Sequence, residues 1–217
     1  VTAAIVPVKR LAQGKSRLAT ALGRDGAEQL ALAMLGDVIE ALRATPGVDV
    51  VAVVTPDEAV AAAATAAGAR ALLGEDPGLN ESIDRAAREL GDAARDGTLV
   101  LLGDVAGARS DDLAALLAAL AAGPAPRAVL APASDGGSAA LARRPHAAIP
   151  SRFGADSAAA HRRAARDANV GWVELALPSL ALDLDDESDL RAFLSAAPRG
   201  GARTRAVLRA RGAGAAP

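Results

Sequence analysis

The sequence predicts a single α/β domain with a mainly parallel central sheet. Three observations carry this. Apolar strand-like runs alternate with helical patterns in a βαβ rhythm, 217 residues are enough for one sizeable core, and no Pro/Gly/Ser-rich or charge-dense linker divides the chain. Apolar residues make up 51% of the sequence and aromatics only 1%, so Ala, Val and Leu must fill the core and the helices must pack closely.

TAAIVPV (Thr2 to Val8) is a short apolar run with β-branched residues, as expected of a first central strand buried on both faces. The loop after it concentrates Lys9, Arg10, Lys15 and Arg17, which makes either a solvated basic loop or a cradle for something anionic. From Gly26 to Arg43, Leu30, Met34, Val38 and Leu42 recur every four residues and predict an amphipathic helix, ended by Thr45-Pro46-Gly47. Val48 to Thr55 is a second buried strand, Ala59 to Gly68 an Ala-rich helix, and Ala69 to Leu73 a short third strand. A helix over Glu81 to Gly97 leads into TLVLLGD, a strand that delivers Asp104 at its carboxyl end. In open parallel sheets, ligands collect outside the carboxyl ends of strands. Ser110-Asp111-Asp112 reads as an N-terminal cap for the next helix, and Arg127 to Gly137 as a strand entering a glycine-bearing turn. Ser179 to Asp183 is expected to be the last strand, running into the acidic stretch Asp183 to Asp189 and a helix, DLRAFLSA. These elements give a domain over 1–197, and 198–217 reads as an Arg/Gly/Ala-rich, partly ordered tail.

With 24 basic and 26 acidic residues the formal charge is -2, so neither nucleic acid nor an anionic membrane is indicated as a partner, and any anion site must be local. The scarcity of aromatics also removes a stacking surface for single strands. The absence of cysteine excludes disulfides and thiolate ligands. No apolar run reaches the roughly 18 residues of a membrane helix, and no positively charged leader precedes the first strand, so a cytoplasmic protein is expected.

Asp104 ends one strand, and Asp183 and Asp185 lie two apart at the end of another, so an extended segment would point both the same way. Three carboxylates converging there suit a hard divalent cation such as Mg²⁺ rather than zinc. Taken singly, each aspartate more often caps a helix or ends a strand in water. The combination shifts the balance, because cations neutralise a triphosphate and carboxylates hold its metal. LAQGKS lacks the spacing of a P-loop, so that ATPase class is excluded. His161, in SAAAHRRAARD, reads as a solvated or capping histidine, and Trp172 as packing.

The strings IVPVKRLAQGKSRLA, LALAMLGDVIEAL, VVAVVTPDEA, GLNESIDRAA, VLLGD, SDGGSAAL, RFGADSAAAHRRAA and LDLDDESDL, in this order, resemble the guanylyltransferases of deazaflavin coenzyme F(420) biosynthesis over residues 3 to 195. The resemblance implies a single-domain, nucleotidyltransferase-type three-layer sandwich of Rossmann-like kind. It implies Mg²⁺-dependent transfer of GMP from GTP to phosphoenolpyruvate or 2-phospho-L-lactate, with release of pyrophosphate. The LALAML and HRR strings look most like the actinobacterial branch, which favours phosphoenolpyruvate. By the same resemblance Lys9 meets the substrate phosphate, Lys15 and Arg17 lie near the triphosphate, and Asp104, Asp183 and Asp185 hold metal. Ser138, Gly154 and Ser157 contact the substrate, while Thr55, Asp57 and Asn80 lie near the guanosine. The chain departs from the family in Asp104-Val105-Ala106 for Asp-Leu-Pro, Asp135-Gly136-Gly137-Ser138 for Gly-Thr-Gly-Thr, and Asp183-Leu184-Asp185-Asp186-Glu187 for Asp-Val-Asp-Thr-Pro. Transfer to 3-phosphoglycerate, a sugar-phosphate or molybdopterin nucleotidyltransferase, and a non-catalytic GTP-binding paralogue remain as alternatives. The sequence leaves the oligomeric state open, a homodimer included.

Overall fold

Alternation along the first strand sets the architecture. In β1 (Thr2–Pro7), Ala4 and Val6 enter one buried cluster while Ala3 and Ile5 enter another on the opposite face. The strand is therefore covered on both sides. In this computed structural model, which describes residues 2–195 and 200–212, seven strands lie in the order β3-β2-β1-β4-β6-β5-β7. They are β2 (Val50–Thr55), β3 (Arg70–Leu73), β4 (Gly97–Leu101), β5 (Arg127–Pro132), β6 (Ser138–Arg144) and β7 (Gly171–Glu174), besides β1. Only β6 runs against the rest, pairing Leu99 with Ala142 and Leu130 with Leu141. The mainly parallel sheet predicted from the sequence is present.

One face carries α2 (Arg24–Arg43), α3 (Glu58–Ala66) and α5 (Ser110–Ala121), whose Leu35, Val60 and Leu116 pack on Val6, Val53 and Leu99. The other carries α4 (Leu79–Leu90) and α6 (Ser157–Asp167), with Ile83 and Ala158 on the side of Ile5 and Leu130. This makes the three layers. A third cluster joins α1 (Ser16–Leu22), the first half of α2, α7 (Glu187–Ser195) and α8 (Ala202–Ala210) through Leu18, Leu30, Met34, Phe193 and Leu208.

Two sequence expectations are corrected and one is met. Ser179 to Asp183 is not a strand: after Pro178 the chain turns, Leu180 N–H donating to Leu177 O, and one bond from Ser134 N–H to Ala181 O replaces a ladder. The glycine-bearing turn expected after Arg127 is present as the corner between β5 and β6, with Gly136 at φ 89. Ser110 does not cap α5; its N-cap is Arg109, which makes no side-chain cap bond.

The Arg/Gly/Ala-rich segment contains α8, and residues 196–199 and 213–217 lie outside the described residues. The buried Asp37 of α2 accepts from Arg203 N–H (3.0 Å), Thr204 N–H (2.8 Å) and Thr204 Oγ1 (2.6 Å). A carboxylate thus caps the first turn of α8 from another helix, where free N–H groups and the helix dipole favour it. Gly201 precedes that turn at φ 73, and a Cβ there would collide with the Phe193 ring. Asp37→Ala should destabilise the fold by about 2 to 3 kcal/mol in urea titration, because three donors, two of them buried, lose a charged acceptor; an unchanged midpoint would mean that α8 docks through Leu208 alone.

Candidate active site

The carboxyl ends of β1, β4 and β5 and the amino end of β6 lie along one edge of the sheet, since β6 alone is reversed. At the β1/β4 pair the strand order switches direction, and the loops after these two strands diverge around a cleft. A cavity of about 350 Å³ opens there, lined by Lys9, Arg10, Gln13, Lys15, Asp104 and Asp185 among others. A second, of about 250 Å³, is lined by Asp104, Asp135, Ser138, Gly154, Ser157, Asp183 and Asp185. Both cavities include Leu79, Leu102, Asp104 and Asp185, so they meet at the two carboxylates.

Lys15 stands at that junction. It is the N-cap of α1 at φ 51 and ψ 40, and this left-handed backbone turns its side chain across the cleft mouth. Its Nζ lies 2.7 Å from Asp104 Oδ2 and 2.5 Å from Asp185 Oδ1, with 13% of the side chain exposed. Burial by itself would lower the ammonium pKa, but the charges and hydrogen bonds of Asp104 and Asp185 outweigh it and raise it above the ordinary value. The Asp183 pKa is raised as well, which for a carboxylate disfavours the charged form: burial first, then the charges of Asp104, Asp185 and Asp135, hold it above the usual range. The smaller cavity, lined by Asp104, Asp135, Asp183 and Asp185, carries negative charge that the Lys15 ammonium does not cancel.

Among the described residues, no three acidic or histidine side chains stand together in ligand geometry. The donor set nevertheless fits a hard divalent cation. Mg²⁺ characteristically takes one or two carboxylates and completes its shell with water and phosphate oxygens. Asp104 Oδ1 is buried without a hydrogen-bond partner, an acceptor that a cation would satisfy.

The remaining predicted residues divide. Lys9 is exposed and lines the larger cavity and the narrow cleft beside Thr55, not the compartment of Ser138 and Ser157. Arg17 lines neither cavity; after the hydrogen bonds from Ser188 and Asp189, its charge contributes to keeping the Asp186 carboxyl low. Thr55 is buried at the end of β2, its Oγ1 accepting from Asp57 N–H. Asp57 has a structural role: Oδ1 caps α3 through Ala59 and Val60 N–H, and Oδ2 accepts from Leu11 N–H at 3.0 Å, tying the cationic loop down. Asn80 clasps the other side of the site, accepting from Phe153 N–H (2.7 Å) and donating to Phe153 O (3.1 Å). Neither Asp57 nor Asn80 lines the two cavities. Gly154, at φ 136, has open space where a Cβ would stand. Ser157 is buried at the first turn of α6. The loop after Asp104 turns tightly without the family's proline, through Val105 N–H to Leu102 O and Ala108 N–H to Val105 O.

Sequence reading missed His161. The ring is fully buried, not solvated: Nδ1 lies 2.9 Å from Ser138 Oγ, and Nε2 accepts from Arg152 N–H at 2.8 Å. The signal was present, since Ala158, His161 and Ala165 recur at helical spacing on the buried face of α6. Also missed was the splint below it. Asp84, one turn after Asn80 on α4, accepts from Ser151 Oγ (2.6 Å), Ser151 N–H (3.2 Å) and the buried Arg143 (2.9 Å), fixing the loop that leads to Gly154.

Burial, then the nearby Arg143 and Arg152 charges, lower the His161 pKa from 6.5 to about 4, with a hydrogen bond at Ser157 and the Asp84 charge opposing. The unfolded chain therefore binds a proton that the folded ring refuses. Stability should fall as pH drops from 6.5 towards about 4, by up to about 3 kcal/mol. Urea titrations across this range should show that His161→Gln loses less stability on acidification than the parent; equal losses would contradict a neutral, buried ring.

Residues 2–211 match the family model described as Guanylyl transferase CofC like. A phosphoenolpyruvate guanylyltransferase of Sphaerobacter thermophilus is 40% identical over 200 residues, covering 92% of this chain and 95% of the relative. One from Salinispora arenicola is 40% identical over 188 residues, covering 86% and 84%. Among solved structures, a Desulfovibrio desulfuricans protein described as a nucleotide-diphospho-sugar transferase superposes with a TM-score of 0.78 at 20% identity, covering 98% of this chain and 95% of that one. A Methanothermobacter nucleotidyl transferase does so at 0.66 and 20%, covering 88% and 95%. At such identities these two establish the nucleotidyltransferase fold.

Proposed function

The chain belongs to the CofC-like guanylyl transferase family of nucleotidyltransferases, and we propose that it joins the GMP moiety of GTP to phosphoenolpyruvate, with Mg²⁺ as cofactor. The observation that carries this reading is the pair of cavities meeting at Asp104 and Asp185. Two compartments suit two substrates, and the shared acidic junction is where a transferred group would lie. The larger cavity, with Lys9, Arg10 and Lys15, has the positive charge a triphosphate requires. The smaller one, with Ser138, Ser157 and the open backbone at Gly154, suits a compact phosphorylated acid.

In the reaction an oxygen of the acid's phosphate forms a bond to the α-phosphorus of GTP, and the bond from that phosphorus to the pyrophosphate oxygen breaks. The attacking phosphate is already ionised, so no general base is needed. Asp104 and Asp185, with Asp183 beside them, are the residues that would hold a divalent cation. The chemistry such an ion would supply there is charge neutralisation at the phosphates. Lys9 neutralises phosphate charge in the larger cavity, and Lys15 keeps the two carboxylates on either side of the junction. The α6 N-terminus at Ser157 favours an anion in the smaller cavity.

Incubation with GTP, Mg²⁺ and, separately, phosphoenolpyruvate, 2-phospho-L-lactate and 3-phosphoglycerate, with products identified by mass, tests the reading. The expected product is the phosphoenolpyruvate–GMP anhydride with equimolar pyrophosphate. Asp104→Asn and Asp185→Asn should each lose roughly a thousandfold in rate while remaining folded. Near-parent activity of either at saturating Mg²⁺ would remove the metal role. The placement of Lys9 adds a sharper expectation. Lys9→Ala should raise KM for GTP, and Ser157→Ala that for the acid, each by about 1 to 3 kcal/mol in kcat/KM. If both variants impair the same substrate, the division between cavities is wrong.

A further inference from the structure

The donor and acceptor pattern around His161 determines where the Ser138 hydroxyl proton points. Arg152 N–H can only donate, and it reaches His161 Nε2 at 2.8 Å, so Nε2 must present a lone pair. A neutral imidazole with Nε2 bare carries its proton on Nδ1. That nitrogen lies 2.9 Å from Ser138 Oγ, and although the Ser157 backbone carbonyl is a second acceptor for its proton, a protonated Nδ1 cannot accept from Ser138, so toward it Oγ only accepts. The Ser138 side chain is nearly fully buried and has no other hydrogen bond among the described residues, yet it lines the smaller cavity. Its own proton has only the cavity to go to. The arrangement is braced on each side: Asn80 and Asp84 hold the loop carrying Arg152, and Phe153 meets the His161 ring edge-on at 5.0 Å between centroids.

We propose that His161 is a positioning residue that locks Ser138 as a hydrogen-bond donor, so that the smaller cavity accepts an anionic oxygen and rejects a ligand presenting an O–H or N–H there. The inference rests on the reading of that cavity as the place of the phosphorylated acid. A rotatable hydroxyl would tolerate either polarity; a locked one discriminates, because a ligand donor facing the Ser138 proton leaves two buried donors opposed. Ser-for-Thr replacement at this position retains the mechanism, since it needs only the hydroxyl.

Two measurements test it. The ¹⁵N–¹H correlation of the His161 imidazole at neutral pH, in the parent protein without substrate, should show Nδ1 protonated and Nε2 bare. A proton on Nε2, or a cationic ring, overturns the proposal whatever the enzyme's substrate. In steady-state assays His161→Phe should raise KM for phosphoenolpyruvate about tenfold, leave KM for GTP unchanged, and have no further effect in a Ser138→Ala background. His161→Gln, which keeps one donor and one acceptor, should recover part of the loss. An equal effect of His161→Phe with and without Ser138, or a loss shared with GTP, would mean a purely structural histidine. Parent activity is the control: a parent protein inactive with every acid contradicts the proposed function, and the tautomer then decides the His161 assignment alone.

Discussion

The site depends on one charge arrangement, the ammonium of Lys15 held between Asp104 and Asp185. Its partners lie 89 and 170 residues away in the chain, so a single side chain joins the loop after β1, the loop after β4 and the acidic segment before α7. Without the cation these carboxylates would repel one another and Asp183, whose pKa is already raised by burial first and then by the neighbouring charges. Much of the surrounding structure holds Lys15 in place. Asp57 fastens Leu11, Arg24 donates to Ala12 O at 2.6 Å, and Leu18 seats α1 in the cluster shared by α2, α7 and α8. The capped α8, placed by Asp37, closes that cluster behind the acidic segment.

The opposite wall is built from neutral and internally paired groups. One helix, α4, supplies both Asn80 and Asp84 to the loop before Gly154, and burial of Arg143 against Asp84 makes that loop's geometry costly to change. His161 then transfers the loop's backbone polarity to Ser138. The two walls differ in character, one governed by charge and the other by directed hydrogen bonds, and under the proposed function this difference would let one cleft separate a triphosphate from a small acid.

The parallel half of the sheet was legible because strands buried on both faces are continuous apolar runs, as in β1, β2 and β4. β6 was not, since SAALARR is rich in Ala and Arg, which have little β preference, and its pairing is decided by β4 and β5 on either side. Asp104 was legible from its place just beyond β4, whereas Asp183 and Asp185 follow a turn and not the strand that the sequence suggested. The bonds of Asp57 and Asn80 were not legible, because their partners are backbone groups of loops 46 and 73 residues away, which no local pattern encodes. His161 was misjudged by its arginine neighbours, although the small residues three before and four after it marked the buried face.

The claim on which the account turns is that nucleotide and acid occupy separate compartments that meet at Asp104. Calorimetric titration of phosphoenolpyruvate into the protein saturated with Mg²⁺ and the non-transferring analogue α,β-methylene-GTP tests it directly. The account predicts one equivalent of acid bound to the nucleotide-loaded protein, at least as tightly as to the protein without nucleotide. Mutual exclusion, with the acid's apparent affinity falling in proportion to analogue concentration, would contradict it.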